Sequence, residues 1–146
     1  MKLALAADHA AFAFKEKLAE ELRRLGHEPV DFGTHSTESC DYPDFAIPAA
    51  QSVADGKADR AILACTNGIG MCMAANRIAG LRGALVYSAR TAAMTRAHHD
   101  SNVLCLGAGE FPADTLLEWV RIWLDTPFEG GRHERRVKKL EALERK

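Results

Sequence analysis

The run Ala61-Ile62-Leu63-Ala64-Cys65-Thr66-Asn67-Gly68-Ile69-Gly70-Met71 constrains this chain more than any other stretch. Four apolar residues lead into a cysteine, a short loop with two glycines follows, and residues 71–78 are then helix-forming. That order of signals reads as a buried strand, a tight turn and a helix N-terminus. A helix start offers N–H groups without intrahelical partners and a partial positive charge, and glycine lets a ligand approach the backbone closely. A thiol on the last strand position meets a field that favours its anion, so it can act as a base or a nucleophile. The segment therefore reads as the floor of an active site. The bland alternative for Cys65 is a small buried hydrophobe; its position facing a glycine loop, not mid-strand, favours the functional reading.

Strand and helix signals alternate along the rest of the chain. Residues 2–7 form a short apolar run, and 11–25 carry Phe14, Leu18, Leu22 and Leu25 at helical spacing before Gly26. Strands are expected over 28–32, 60–64, 82–87 and 102–106, and helices over 43–55, 70–79, 89–99 and 113–124. Five strands interleaved with helices imply an α/β fold with an open parallel sheet covered on both faces. With a strand order of 2-1-3-4-5, strands 1 and 3 are neighbours whose following loops diverge, opening a crevice at the carboxyl edge. Asp8-His9 follows strand 1 and Cys65 to Gly70 follow strand 3, so the polar strand ends converge there.

A chain of 146 residues suits a single domain, 1–146. Its formal charge of −1 argues against a general binder of nucleic acid or membrane surfaces. No stretch approaches the ~20 apolar residues of a membrane span, and the apolar start is too short for a signal peptide, so a cytosolic location is expected. Cysteines at 40, 65, 72 and 105 form no Cys-x-x-Cys pair and read as reduced thiols. The tail, 131–146, is different: seven Lys/Arg and three Glu over 132–146 flank a thin stripe of Val137, Leu140 and Leu143. A charged helix with one apolar stripe rests on something, its own domain or a partner subunit.

Other candidates are ambiguous singly. Asp8 can serve a ligand or simply cap a helix; His9 and Tyr42 have no decisive context; Cys72, early in the site helix, reads as packing. The triplet His98-His99-Asp100 suggests a metal site, but adjacent helical histidines point about 100° apart, so no metal is expected. His98 ends a helix that runs back down the sheet, whereas Cys65 sits at the upper edge. If His98 serves the Cys65 site it must come from another copy of the chain. The same holds for Arg132 and Arg136, whose i,i+4 spacing puts them on one face able to grip a phosphate; they can equally be solvated cations. A shared site predicts a homodimer.

Together these residues resemble the ribose-5-phosphate isomerase B family, which also includes galactose-6-phosphate isomerase subunits. The resemblance rests on Ala7-Asp8-His9, Asp31-Phe32-Gly33-Thr34, Asp41-Tyr42-Pro43, the segment from Cys65 to Gly70, Ala74-Ala75-Asn76-Arg77, Arg96-Ala97-His98, Asn102-Val103-Leu104 and Phe128-Glu129-Gly130-Gly131-Arg132-His133. It implies a Rossmann-like three-layer sandwich, a homodimer or homotetramer, no cofactor, and interconversion of an aldose phosphate and a ketose phosphate. Position by position, Cys65 resembles the base that moves a proton between C1 and C2, and His98 the residue that opens the sugar ring, aided by Asn67 or Asp8. Asp8 and Tyr42 resemble sugar-hydroxyl contacts; His9, Arg132 and Arg136 resemble phosphate contacts. The Gly68-Ile69-Gly70 backbone resembles the anion hole for the enediolate, with Thr66 and His99 lining the same site.

Three stretches depart from the family pattern. Thr66-Asn67 replaces Gly-Thr or Gly-Ser after the cysteine, and Asn67 has no hydroxyl proton to relay. His99 replaces an asparagine, and Gly107-Ala108-Gly109-Glu110 stands where many members place an arginine. These departures keep alternatives open: an isomerase of allose 6-phosphate, galactose 6-phosphate, a tetrose phosphate or an unphosphorylated sugar, or a non-catalytic sugar-phosphate binding module. A thiol redox protein using Cys65 and Cys72 fits less well, because their spacing across a turn suits a disulfide poorly.

Overall fold

The computed structural model describes residues 1–144, so the last two residues of the expected tail lie outside it. Among the described residues, five strands form one parallel sheet: β1 (Lys2–Ala7), β2 (Glu28–Asp31), β3 (Arg60–Cys65), β4 (Gly83–Leu85) and β5 (Val103–Gly107). Six helices cover it: α1 (Phe12–Arg24), α2 (Pro43–Ala54), α3 (Ile69–Ala75), α4 (Ala89–His99), α5 (Ala113–Asp125) and α6 (Arg132–Glu141). β1, β3 and β5 are apolar almost throughout and buried because helices lie on both faces.

The expected strand order needs correction. The sheet runs β2-β1-β3-β5-β4, with β5 inserted between β3 and β4. Right-handed crossovers then dictate the layers. The connection from β3 skips over one strand position and puts α3 beside α2, and the return from β4 to β5 sends α4 to the opposite face, with α1 and α5. The two cores follow this division. Leu3, Leu5, Leu18, Leu22, Ala92, Leu116, Trp119, Val120 and Trp123 pack on one side, and Ala46, Ala49, Ala50, Leu63, Cys65, Met71, Ala75 and Cys105 on the other. The switch point between β1 and β3 survives the correction, since Leu3 pairs with Arg60 and Ala7 with Ala64.

Side-chain contacts fix the ends of the elements that carry candidate residues. Lys15 is fully buried on α1 and its Nζ lies 2.6 Å from Asp31 Oδ2, while Asp31 Oδ1 accepts the Gly33 N–H at 2.8 Å. Gly33 O accepts from Ala7 N at 2.8 Å and Thr34 N donates to Ala7 O at 2.7 Å, which pins the end of β1 just before Asp8. At the end of α4, buried Arg96 donates to Asp100 Oδ1 at 2.7 Å and to Ser101 O at 2.6 Å. Trp123 Nε1 donates to Ser101 Oγ at 2.8 Å, tying α5 to that turn. A buried cation left without its carboxylate costs several kcal/mol, so these pairs hold their segments firmly.

Two elements are shorter than the sequence suggests. α3 stops at Ala75 because Asn76 turns its amide onto β4: Nδ2 donates to Gly83 O at 2.9 Å and Oδ1 accepts from Gly83 N at 2.8 Å. β4, an edge strand, pairs only over residues 83–85, and Ser88 and Thr91 then build a reciprocal cap for α4. The tail helix rests partly on its own chain, with His133 and Val137 buried, but leaves Leu140 and Leu143 56% and 78% exposed.

Candidate active site

Cys65 ends β3 and is 5% exposed. Its Sγ accepts a hydrogen bond from the Gly68 N–H at 3.2 Å. Such a donor stabilises charge on the sulfur. The loop can curl this tightly because Gly68 is left-handed (φ +79°) and sits against Leu85 and the backbone of Leu106, where a Cβ would come within 2.7 Å. The Ile69 N–H donates to Asn67 Oδ1 at 3.0 Å. Two of the N–H groups assigned by sequence to the enediolate therefore have internal partners in the unliganded protein. The Ile69 donor can be released by rotation of Asn67, which is exposed, as is Thr66.

Neighbouring loops close in around this turn. A Cβ on Gly70 would lie 2.5 Å from Tyr42 Cζ, so glycine at 70 is what lets the Tyr42 ring lie against the loop. Ala108 N donates to Cys65 O and Gly109 N to Thr66 O, both at 2.9 Å. Gly107, in register with Cys65, has the Asn67 backbone at 2.9 Å from where its Cβ would be, and Gly109 has the Thr66 side chain at 2.9 Å and its carbonyl at 3.0 Å. From the β1 side, Asp8 N donates to Ala64 O at 3.3 Å. The Asp8 carboxylate accepts from Ala10 N at 3.0 Å and Ala11 N at 3.3 Å, so it caps the short 3₁₀ turn over residues 9–11. His9 Nδ1 accepts from Cys40 N at 3.2 Å, leaving Nε2 to carry the proton and to act as donor. The Cys40 backbone thus sets the tautomer of His9.

Cys72 packs against the core that holds Cys65, Met71 and Cys105, as its sequence reading expects, and its thiol is also perturbed. It is half-buried, and its thiol is lowered to about 7, first by a hydrogen bond from the Cys105 thiol, with Leu85 and Asn76 as further donors, against the opposing effect of burial. Cys105 is pushed the other way, up, as the donor of that pair and by full burial. Thiolate is the reactive form. Iodoacetamide should therefore label Cys72 ahead of Cys105, at a rate that climbs with pH through a midpoint of about 7. Peptide mass spectrometry would read both, and a midpoint at the ordinary thiol value would contradict the assignment.

The remaining candidates gather at the opposite edge of the sheet. α4 runs antiparallel to the strands and places His98 near the amino ends, while β3, six residues long, separates that edge from Cys65 by roughly 20 Å. His98 stacks on His133 of α6 with centroids 4.0 Å apart and an 11° interplanar angle. Glu129 Oε2 lies 3.4 Å from His133 Nε2 and 3.9 Å from His98 Nε2, and Glu129 N donates to Ala97 O at 3.0 Å. Burial first, then the charges of His98, Arg132 and Arg136, lower the His133 imidazole against the pull of Glu129. Arg132 and Arg136 are exposed on α6. His99 makes an edge contact with His98 at 6.2 Å and gives its carbonyl to Arg82. Asp100 is held by Arg82 and Arg96, so the histidine doublet has no carboxylate there.

Thus Asp8, His9, Tyr42, Cys65, Thr66, Asn67, Gly68, Ile69 and Gly70 belong to the carboxyl edge, and His98, His99, Arg132 and Arg136 to the amino edge. Sequence reasoning passed over Glu129 and His133. Their i,i+4 spacing was visible, but Gly130-Gly131 between them hides the helical period. A groove of about 640 Å³ lies away from Cys65, lined by Asn76, Ile78, Leu81, Arg82, Leu140 and Leu143. Among the described residues no helix is long and apolar enough to cross a membrane.

The fold is that of a doubly wound α/β protein, with the Cys65 loop and the Asp8-His9 turn side by side at its switch point. The chain belongs to the ribose/galactose isomerase family, whose profile matches residues 3–140. It is 37% identical over 145 residues to ribose-5-phosphate isomerase B of Escherichia coli, covering 99% of this chain and 97% of that one. Among solved structures it superposes on Clostridium thermocellum ribose-5-phosphate isomerase B with a TM-score of 0.96 at 40% identity, covering 98% of this chain and 97% of the other. The Mycoplasma genitalium enzyme with bound ribulose-5-phosphate matches with a TM-score of 0.93 at 38% identity, over 97% and 94% of the two chains.

Proposed function

We propose that this protein is an aldose–ketose isomerase that interconverts ribose 5-phosphate and ribulose 5-phosphate through an enediolate. The observation that carries the reading is the Cys65 sulfur at a strand end, facing a glycine loop and held by a main-chain N–H, in a chain that matches the isomerase family over nearly its whole length. In the proposed path His98 from a second copy of the chain opens the sugar ring, aided by Asn67 or Asp8. The Cys65 thiolate removes the C2 proton of the open-chain aldose, the electrons move onto O1, and main-chain N–H groups of residues 68–70 hold the developing oxyanion. The Cys65 thiol, whose hydrogen exchanges with solvent while the enediolate lasts, delivers a proton to C1 as the O2 hydroxyl proton passes to O1 and the C2 oxygen becomes a carbonyl. Tyr42 and Asp8 would meet sugar hydroxyls; His9, with its Nε2 proton, would meet the phosphate together with Arg132 and Arg136 of the second copy; Thr66 and His99 would line the pocket.

Assembly as a homodimer or homotetramer belongs to this reading. Support comes from the separation of the two residue sets across the sheet, from Ile69 and Met73, exposed one helical turn apart on α3, and from Leu140 and Leu143 on the tail, which offer apolar surface for a second chain to cover. One domain over 1–146, a tail resting in part on the partner, and a cytosolic setting with the four thiols free complete the proposal; the residues named need no cofactor.

Incubation with a panel of aldose phosphates in deuterated water tests it. Deuterium should enter at C2 of ribose 5-phosphate with formation of the ketose. Exchange or ketose formation only with a four- or six-carbon sugar phosphate would move the substrate assignment, and binding with neither exchange nor ketose formation would refute isomerisation.

A further inference from the structure

We propose that His98, Glu129 and His133 form a three-ligand site for a divalent transition ion of the zinc type, at the amino edge of the sheet and apart from the Cys65 of the same chain. The ligand atoms of the three residues lie within 4.8 Å of one another. Zinc at about 2.0–2.2 Å from nitrogen and carboxylate oxygen in a tetrahedral shell requires neighbouring ligand atoms roughly 3.3–3.5 Å apart. The 3.4 Å between His133 Nε2 and Glu129 Oε2 meets that spacing, and His98 Nε2, 3.9 Å from the same carboxylate oxygen, reaches it by rotation of its ring. Independently, His133 Nε2 is buried without a hydrogen-bond partner, in a residue only 5% exposed to solvent. A buried ring nitrogen aimed at a carboxylate and left unpaired is costly unless something occupies the space between them.

The local chain geometry suits such a site. The Glu129 backbone is anchored by its hydrogen bond to Ala97 O, one residue before His98. His133 is fixed by burial, and Glu129 at 57% and His98 at 26% side-chain exposure leave an open side for water as the fourth ligand. Stacked rings cannot both point a lone pair at one ion, so His98, the more exposed of the two, must swing out of the 4.0 Å stack. Arg132 and Arg136 on the same helix oppose a dication, so binding is expected in the micromolar range, weaker than in a structural zinc site. Occupancy would take His98 away from sugar, making the ion an inhibitor; that consequence rests on the proposed role of His98, whereas the binding does not.

The test uses full-length protein stripped with chelator, in buffer free of phosphate, titrated calorimetrically with Zn²⁺ and followed optically with Co²⁺. One ion per chain is expected, with a tetrahedral Co²⁺ spectrum lacking thiolate charge transfer. Glu129→Gln, a change at an exposed carboxylate that should not disturb folding, and His133→Ala should each weaken binding at least about tenfold. Absence of binding at micromolar ion, a thiolate band, or unchanged affinity in both variants would overturn the site. If Zn²⁺ binds as expected yet leaves isomerisation untouched, the fault lies with the role given to His98 and not with the site.

Discussion

Cys65→Ala should lower kcat on ribose 5-phosphate by at least about 10²–10⁴-fold, the usual contribution of a positioned general base, while the sugar phosphate still binds. The substitution removes one sulfur from a site that is already 5% exposed and leaves the Gly68 N–H without its acceptor. That loss costs on the order of 1 kcal/mol, too little to unfold a domain with two helix-covered cores, so lost activity reports on chemistry. The phosphate contacts assigned to His9, Arg132 and Arg136 are untouched, and calorimetry should give an affinity near that of the parent protein. The oxyanion donors also remain, so a residual rate above background is expected from positioning alone. Turnover near the parent value, with the variant folded, would remove Cys65 from the role of base and return it to the small buried hydrophobe that a strand-end cysteine otherwise is.

Mixing two inactive variants should regenerate activity. Cys65→Ala and His98→Ala chains, combined equally and allowed to exchange, place half of all dimers in the mixed state. Each mixed dimer has one site with both defects and one with neither, so about a quarter of sites recover. The physical basis is the length of β3, which keeps the carboxyl-edge thiol and the amino-edge imidazole of one chain roughly 20 Å apart. No single-chain rearrangement short of unfolding α4 brings them together, because Arg96, Asp100, Ser101 and Trp123 lock the end of that helix. Native mass spectrometry verifies exchange. Mixed dimers without recovered turnover would mean that His98 does not complete a neighbour's site.

The strands and most of the helices are legible in the sequence because burial on both faces writes itself as unbroken apolar runs, as in Leu3-Ala4-Leu5-Ala6-Ala7, and because Gly26 ends the first helical segment openly. The sheet order is not legible: whether a crossover lands one or two strand positions away leaves no local mark, and β5 between β3 and β4 is a tertiary outcome. The end of α3 was hidden for a related reason, since Asn76 acts through a β4 backbone that lies seven residues on. At the site, Cys65 and its glycines were legible because a thiol, a tight turn and a helix start are adjacent in the chain. His133 and Glu129 were not, because their meaning comes from the ring of His98, brought in from more than thirty residues away.

The inserted β5 has a practical corollary for redesign. With Gly107 wedged against the Asn67 backbone and Gly109 close to Thr66, a side chain at 107 would displace the loop beside the thiol, so a new specificity group is better grafted at Ala108 or Glu110, which are partly and fully open to solvent. A cation installed at Glu110 would reverse the sign of the charge on that rim and change which anionic substrates the pocket favours, without disturbing the close packing underneath.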